Sequence, residues 1–221
     1  MTSKTALQVI LEELQPMAGA SLLDIGCGKG GLAGPLRQAG AIWHGLDPAA
    51  DPAHPDIDCA PAEAMPYPDA SFDFAICVNA LHHVPLAHMG AALDQAARVL
   101  RPAGQLLVIE PQAHGALSQV IAVIDDETEI RLAAQTAMDR CRSLRQLRRF
   151  EYPRTETYPS FEAFCDSLQQ IAPERAPSIA SKRAELAAAF ATQAHPVGEN
   201  STTPALWALH QPMSARLFTP A

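Results

Sequence analysis

Four glycines follow a short apolar segment near the start of the chain, where residues 21–31 read SLLDIGCGKGG. Because glycine has no Cβ, it permits a sharp turn and lets a ligand come close to the backbone. A glycine-rich turn between a strand and a helix commonly holds the anionic or polar part of a nucleotide in α/β proteins. Gly26, Gly28 and Gly31 fit the dinucleotide pattern G-x-G-x-x-G. Gly26, Gly28 and Gly30 also fit the tighter G-x-G-x-G, so the turn alone leaves two cofactor classes open.

Three further segments carry groups suited to binding or proton transfer. Asp47 lies 21 residues after Gly26, a spacing at which a carboxylate can accept both hydroxyls of a ribose, although aspartate before proline is also common in plain turns. Residues 60–67 fit either a backbone that reads an adenine edge or a structural turn. His82 and His83 could supply a general base, since imidazole titrates near neutral pH, or could be packed or helix-capping residues.

The elements that must position these groups alternate between strand and helix in the first half of the chain. Hydrophobic periodicity and breaker residues predict strands at 21–25, 41–46, 57–60, 72–78 and 105–110, and helices at 4–16, 30–39 and 86–101. The proline- and aspartate-rich residues 48–56 are predicted to lack a helix. This alternation indicates an α/β fold with a parallel, doubly wound sheet, and ligands of such sheets bind at the carboxyl ends of the strands.

The second half of the chain has a different pattern. It predicts one long helix at 115–148, a strand at 150–158, helices at 160–170 and 178–194, a loop at 196–204 and a last strand at 205–217.

Length and composition limit the classes of protein to consider. At 221 residues, one domain, or one domain with a small cap, is expected. The five cysteines contain no C-x-x-C pair, which favours a reducing, cytoplasmic location over a disulfide framework or a zinc site, and no other metal spacing is indicated. Without a charged-then-apolar leader or an apolar run of about 18 residues, neither a signal peptide nor a membrane span is expected.

Charge argues against a nucleic-acid-binding chain, because the net charge is −8. An arginine cluster nevertheless lies in the second half: Arg140, Arg142, Arg145, Arg148, Arg149 and Arg154. The cluster fits either a solvated helix face or a rim that attracts an anionic substrate.

Five segments occur in order with regular spacing: LLDIGCGKG at 22–30, Asp47, PYPDASFD at 66–73, LHHV at 81–84 and RVLRPAGQL at 98–106. Together they resemble the class I S-adenosylmethionine-dependent methyltransferases, and most closely the UbiE-like branch called methyltransferase type 11. The resemblance covers about residues 20–111. It implies a single domain over 1–221, with a helical cap at about 112–200. It also implies a Rossmann-like sheet of seven mostly parallel strands with an antiparallel C-terminal strand.

The resemblance implies S-adenosyl-L-methionine as cofactor. The cofactor-binding residues that it implies are Asp24, Gly26, Cys27, Gly28, Asp47, Pro48, Ala62, Glu63, Asn79 and Ala80. Asp24 would orient the cofactor's amino group through the turn, and the turn itself would hold the methionine part. Asp47 would bind the ribose, and Asn79 would lie at the methyl-bearing end.

The adenine side departs from the family pattern. Pro48 would lie near the adenine, and Ala62 and Glu63 would flank it. The family's usual aspartate, which accepts the adenine amino group, is replaced here by Pro61. Base recognition must then rest on Glu63 or on the backbone.

The implied reaction is methyl transfer to a small-molecule acceptor by in-line SN2 displacement. The sulfonium is already activated, so the reaction needs mainly alignment and exclusion of water. His82 or His83 would act as a base only if the acceptor must first lose a proton. The arginine cluster keeps an anionic acceptor open, and nucleic acid is disfavoured because residues 79–82 read NALH rather than the NPPY of amino-group methylases.

Two alternatives remain at this stage. A NAD(P)-dependent oxidoreductase fits the glycine pattern and Asp47, but the segments 66–73 and 81–84 have no role there and a Tyr-x-x-x-Lys pair is missing. A non-catalytic S-adenosylmethionine-binding module is kept open by Pro61.

Overall fold

The computed structural model describes residues 3–198 and 206–221, and the chain divides into two compact units. The sheet unit comprises Lys4–Pro111, Ile130–Tyr152 and Met213–Ala221. The helical unit comprises Met1–Ser3, Gln112–Glu129 and Pro153–Pro212, as far as these ranges are described. The single-domain organisation stays a prediction.

The strands form one mixed sheet. They are β1 Ser21–Ile25, β2 Ile42–Leu46, β3 Ile57–Asp58, β4 Phe72–Val78, β5 Leu100–Pro111, β6 Leu144–Tyr158, β7 His195–Val197 and β8 Leu206–Pro220. The order is β3-β2-β1-β4-β5-β8-β6, with β7 paired to β8 off this path. Strands β1 to β5 pair in parallel, and β8 runs antiparallel to β5. The predicted fold class is therefore confirmed, and within the described residues β7 adds an eighth strand to the seven on the path.

The parallel register brings four strand ends to one edge of the sheet. Ile25 at the end of β1 lies beside Leu46 on β2 and Cys77 on β4. Val78 at the end of β4 lies beside Ile109 on β5. The residues that follow these positions therefore meet at the carboxyl edge, which is where doubly wound sheets bind ligands.

The α-helices of the described residues are α1 Ala6–Glu13, α2 Ala33–Gln38, α3 Met89–Val99, α4 Ala116–Ile121, α5 Thr128–Arg140, α6 Phe161–Ile171, α7 Ala176–Ser181 and α8 Arg183–Gln193. Helices α1, α2, α3 and α5 contribute buried residues to the two apolar clusters on the faces of the parallel strands. On β1, Leu22 packs in the cluster that includes α1 and α2, whereas Leu23 packs in the cluster that includes α3 and α5. Burial on both faces explains why β1 reads as a continuous apolar run.

The predicted helix at 115–148 is wrong. The structure has α4 and α5 instead, and the chain enters β6 at Leu144. Between the helices, Asp126 Oδ1 accepts a hydrogen bond at 3.0 Å from the backbone N–H of Thr128, and such aspartate contacts favour turns and helix starts. The predicted helix at 178–194 is likewise interrupted at Lys182, between α7 and α8.

Strand bounds near the breakers also differ from expectation. Strand β5 starts at Leu100, within the helix predicted at 86–101, and includes Pro102 and Gly104 ahead of the strand predicted at 105–110. Part of the predicted loop at 196–204 belongs to β7. Residues 199–204 of that loop, and residue 205 of the predicted last strand, lie outside the described residues.

The helical unit has its own apolar core. The rings of Phe164 and Phe190 pack with centroids 5.1 Å apart, and Tyr158 meets Phe164 edge to face at 5.1 Å. Leu117 from α4 and Leu209 from β8 belong to the same buried cluster. Over residues 3–198 and 206–221, the helices are all too short or too polar to cross a membrane.

Candidate functional site

The glycine turn after β1 requires glycine at its first position. Gly26 has φ +70° and Gly28 has φ +56°, both in the left-handed region. A Cβ on Gly26 would lie only 2.5 Å from Cβ of Ala80. The backbone N–H of Gly26 donates to the carbonyl of Leu46 at 2.7 Å. The turn is therefore joined to β2 and lies directly against the loop that follows β4.

Asp47 fixes the other side of the turn. Its Oδ2 accepts a hydrogen bond at 2.8 Å from the backbone N–H of Gly28, and its Oδ1 accepts one at 2.9 Å from that of Ala49. A carboxylate has about four acceptor positions, so each oxygen retains a lone pair. Asp47 is half-buried and the following Pro48 is exposed. This carboxylate can hold the turn and still accept a pair of hydroxyl groups.

Asp24 lies beneath the turn. It is 2% exposed, and Trp43 Nε1 donates to its Oδ2 at 3.2 Å. Burial, with a contribution from the charge of Asp47, raises the pKa of Asp24 to about 7. Burial also raises the pKa of the neighbouring Cys27 to about 12, so that this thiol stays protonated at neutral pH.

The adenine-side candidates follow β3. Residues Ala62–Ala64 form one turn of 3-10 helix after the exposed Pro61. Glu63 Oε1 lies 2.8 Å from Nδ1 of His88, so that the carboxylate is linked to the start of α3. The hydroxyl of Tyr67 donates to Asp58 Oδ2 at 2.8 Å. Sequence reasoning did not anticipate either partner, because both contacts join separate elements.

Asn79 has the most unusual conformation at this edge. Its φ is +52°, which is uncommon for a residue with a side chain and is concentrated at functional sites. Its backbone N–H donates to Ile109 at 2.8 Å. Its Oδ1 is buried and has no hydrogen-bond partner, a state that costs about 1–3 kcal/mol unless a ligand donor satisfies the atom.

The two histidines after Asn79 are in different environments. His82 is 3% exposed, and its Nδ1 contacts Oε2 of Glu110. The other oxygen of Glu110 accepts the backbone N–H groups of Ala80 at 3.0 Å and Leu81 at 2.9 Å. His83 is exposed. Of the two candidate bases, His83 is the one whose side chain reaches the surface, whereas His82 is packed against a buried carboxylate.

Sequence reasoning missed Glu110. It ends the predicted strand 105–110, so the rule that sites lie at carboxyl ends of parallel strands could have identified it. Its contacts with residues 80–82 lie about thirty positions away in the chain and leave no local pattern.

The arginine cluster does not form a helix face. Four members, Arg145, Arg148, Arg149 and Arg154, lie on β6, so the expected helix face is wrong. The guanidinium of Arg148 bonds both oxygens of Glu13, at 2.7 and 3.0 Å, and stacks over the ring of Phe150 at 4.7 Å. For this member the structure shows a contact that stabilises the fold.

Four of the predicted site residues therefore meet at one edge, namely Gly26, Gly28, Asp47 and Asn79, with Ala80 against Gly26. Asp24 lies beneath the turn, and Cys27 lies within it. Ala62, Glu63 and Pro48 occupy the loops after β2 and β3.

Comparison with known proteins identifies the region that contains this edge. Residues 23–108 match the family model described as "Methyltransferase domain". The chain is 39% identical over 104 residues to 27-O-demethylrifamycin SV methyltransferase of Amycolatopsis mediterranei, covering 40% of this chain and 38% of that protein. It is 32% identical over 132 residues to ubiquinone biosynthesis O-methyltransferase of Bradyrhizobium sp., covering 54% and 51%. The chain thus spans about half or less of these curated relatives.

Solved structures support the fold over nearly the whole chain. A Bacillus halodurans protein solved as a candidate methyltransferase has a TM-score of 0.61 at 18% identity, covering 99% of this chain and 100% of that one. The YcgJ protein from Bacillus subtilis has a TM-score of 0.57 at 16% identity, covering 97% and 98%. The cyclase SpnF has a TM-score of 0.55 at 21% identity, covering 97% and 80%. At these identities the comparisons establish the fold alone.

Proposed function

From the match of residues 23–108 to a methyltransferase domain, we propose that this protein is an S-adenosylmethionine-dependent methyltransferase acting on a small molecule. The observation that carries the proposal is the set of unfilled acceptors at the carboxyl edge. Asn79 Oδ1 is buried without a partner, and the carboxylate of Asp47 retains acceptor positions beside the glycine turn.

The residues present fit the cofactor. Its ribose has two hydroxyl groups, which match the remaining lone pairs of Asp47. Its methionine end has an amino group, which matches the unpartnered oxygen of Asn79. Because Gly26 and Gly28 have no side chain, the part of the cofactor between the ribose and the amino group can lie close to the backbone of the turn. When bound, the cofactor supplies an activated methyl group.

The protein's part in the reaction is alignment and exclusion of water. Asp47 and Asn79 lie on adjacent loops at the strand ends, so that the cofactor is held in a fixed position before the acceptor binds. His83 is the proposed base where the acceptor must lose a proton, because its side chain is exposed and that of His82 is not. Asp24 acts on the turn from beneath.

The proposed acceptor carries a hydroxyl group. Two curated relatives are named for transfer to oxygen, on demethylrifamycin and in ubiquinone biosynthesis. On the adenine side, recognition rests on Glu63, which His88 holds in place, or on the backbone near Pro61.

Calorimetry tests the cofactor assignment. The wild-type protein is expected to bind S-adenosylmethionine, and Asp47→Ala is expected to weaken binding by about tenfold or more, as loss of hydrogen bonds to a charged group costs about 1.5–3 kcal/mol. Asp166→Ala, an exposed aspartate on α6, is the matched control. Tight binding of NAD without binding of S-adenosylmethionine would refute the assignment in favour of an oxidoreductase.

A transfer assay tests the activity itself. Small phenols and hydroxylated polyketides are incubated with S-adenosylmethionine, and S-adenosylhomocysteine is measured. Cofactor binding without turnover on any hydroxyl, amine or thiol acceptor would favour the non-catalytic module.

A further inference from the structure

Glu110 at the end of β5 is a buried carboxylate that the proposed reaction does not use. We propose that Glu110 is a positioning residue, whose carboxylate holds the loop 79–83 so that Asn79 Oδ1 is available to the cofactor. This inference rests on the proposed function, because it assigns a purpose to one side of the same site.

The backbone conformation of the loop 79–83 leaves N–H groups that need hydrogen-bond acceptors from elsewhere in the protein. After β4 the chain turns left-handed at Asn79 and then forms one turn of 3-10 helix, Leu81–His83. The first N–H groups of such a turn have no partner within it. Oε1 of Glu110 accepts two of them, from Ala80 at 3.0 Å and Leu81 at 2.9 Å. A single oxygen thus replaces the missing acceptors.

The second oxygen of Glu110 engages His82. Both side chains are buried, at 1% and 3% exposure, and Oε2 contacts Nδ1 of the imidazole. We assign Nδ1 of His82 as the donor of this contact, because the backbone N–H groups already use Glu110 as an acceptor. The carboxylate therefore bonds three donors from three consecutive residues, 80 to 82.

These contacts constrain the peptide that contains Asn79. The N–H of Asn79 donates to the carbonyl of Ile109, and the next N–H, of Ala80, donates to Glu110. Two consecutive amides of the loop are therefore bound to two consecutive residues of β5. With both amides fixed, Asn79 stays left-handed and its side-chain oxygen stays without a protein partner.

The test is a double-mutant cycle on the dissociation constant of S-adenosylhomocysteine. Glu110→Gln keeps the shape but turns one acceptor oxygen into a donor, and it is expected to raise the dissociation constant about tenfold. Asn79→Gly tolerates the left-handed backbone, removes Oδ1, and is expected to cause a similar rise. If Glu110 acts through Asn79, the double variant binds no more weakly than either single variant.

Additive losses, or an unchanged dissociation constant in Glu110→Gln, would overturn the inference while leaving the proposed function intact. Absence of binding by the wild-type protein would instead refute the proposed function, and the inference with it. Glu162→Gln, at an exposed site on α6, controls for the amide change. If Glu110→Gln does not fold, Glu110→Asp, which keeps the charge on a shorter side chain, enters the same cycle.

NMR spectroscopy can monitor the contact between Glu110 and His82 in the absence of the cofactor. The ¹⁵N chemical shifts of His82 are expected to show a protonated Nδ1 in the wild-type protein. In Glu110→Gln they are expected to show the Nε2–H tautomer, since a side-chain amide N–H now faces Nδ1. Identical spectra in both proteins would contradict the assigned contact.

Discussion

Replacing Gly26 with alanine should lower the free energy of unfolding through two separate effects, backbone strain and a steric clash. Gly26 has φ +70°, and a Cβ placed on it would lie 2.5 Å from Cβ of Ala80. Two methyl groups cannot occupy that separation. Gly26→Ala must therefore strain the turn and also displace either the turn or the loop after β4.

The two parts have separate magnitudes. A left-handed conformation costs a residue with a side chain about 1–2 kcal/mol, and forcing an extra methyl group into a packed position costs about 1–3 kcal/mol. The sum is about 2–5 kcal/mol. For a chain of 221 residues, that loss lowers the melting temperature by about 4–20 °C.

Gly28→Ala is the matched control. Gly28 is also left-handed, at φ +56°, but a Cβ there would meet nothing within 4 Å. Only the conformational part applies, so a loss of about 1–2 kcal/mol is expected. Urea unfolding and thermal melts of both variants, with S-adenosylhomocysteine binding measured on each, separate the two contributions.

A compensating change isolates the contact. Ala80→Gly removes the methyl group opposite Gly26, so the variant Gly26→Ala/Ala80→Gly should recover the overpacking part but not the conformational part. Equal stability of Gly26→Ala and Gly28→Ala, together with no recovery from Ala80→Gly, would show that the turn and the loop are not in contact.

Three further predictions concern charge and thiol chemistry. Because the pKa of Asp24 rises to about 7 on folding, its contribution to stability is fully present below about pH 4 and is lost as the pH rises towards 7. In urea titrations between these pH values, the unfolding free energy of the wild-type protein should fall relative to that of Asp24→Asn. The same pH dependence in both proteins would contradict the raised pKa. Arg148→Ala leaves the carboxylate of Glu13, whose side chain is only 9% exposed, without its guanidinium partner, so it should cost about 1–3 kcal/mol of unfolding free energy. A loss below about 1 kcal/mol by urea titration, as for an exposed ion pair, would contradict this role. Since its pKa is raised to about 12, Cys27 should be alkylated by iodoacetamide at pH 8 more slowly than the exposed Cys59, as peptide mass spectrometry would show, and faster reaction of Cys27 would refute the protonated thiol.

The sheet could be predicted from sequence because its signals are local. The bounds of β1 and β4 match expectation, since each is an apolar run between clear breakers. The carboxyl-edge rule then placed Gly26, Asp47 and Asn79 on neighbouring loops, and the parallel register confirms that placement.

The second half could not be predicted from local pattern. Residues 144–148 were assigned to a helix, yet they belong to an outer strand on which the successive side chains of residues 145–149 are exposed. When both faces of a strand are exposed to solvent, its sequence lacks the alternation of apolar and polar residues by which strands are recognised. The Glu110–His82 contact escaped prediction for another reason, since only the pairing of β4 with β5 brings these residues together.

The position of β6 at the end of the sheet order affects how the protein behaves at high concentration. An outermost strand offers unpaired backbone groups to which another chain can add, and charged side chains oppose this addition. Arg145 and Arg149 are exposed there beside the apolar Leu147. Two copies aligned along β6 would bring like charges together, so the arginines act as a barrier to self-association, and one that salt would weaken.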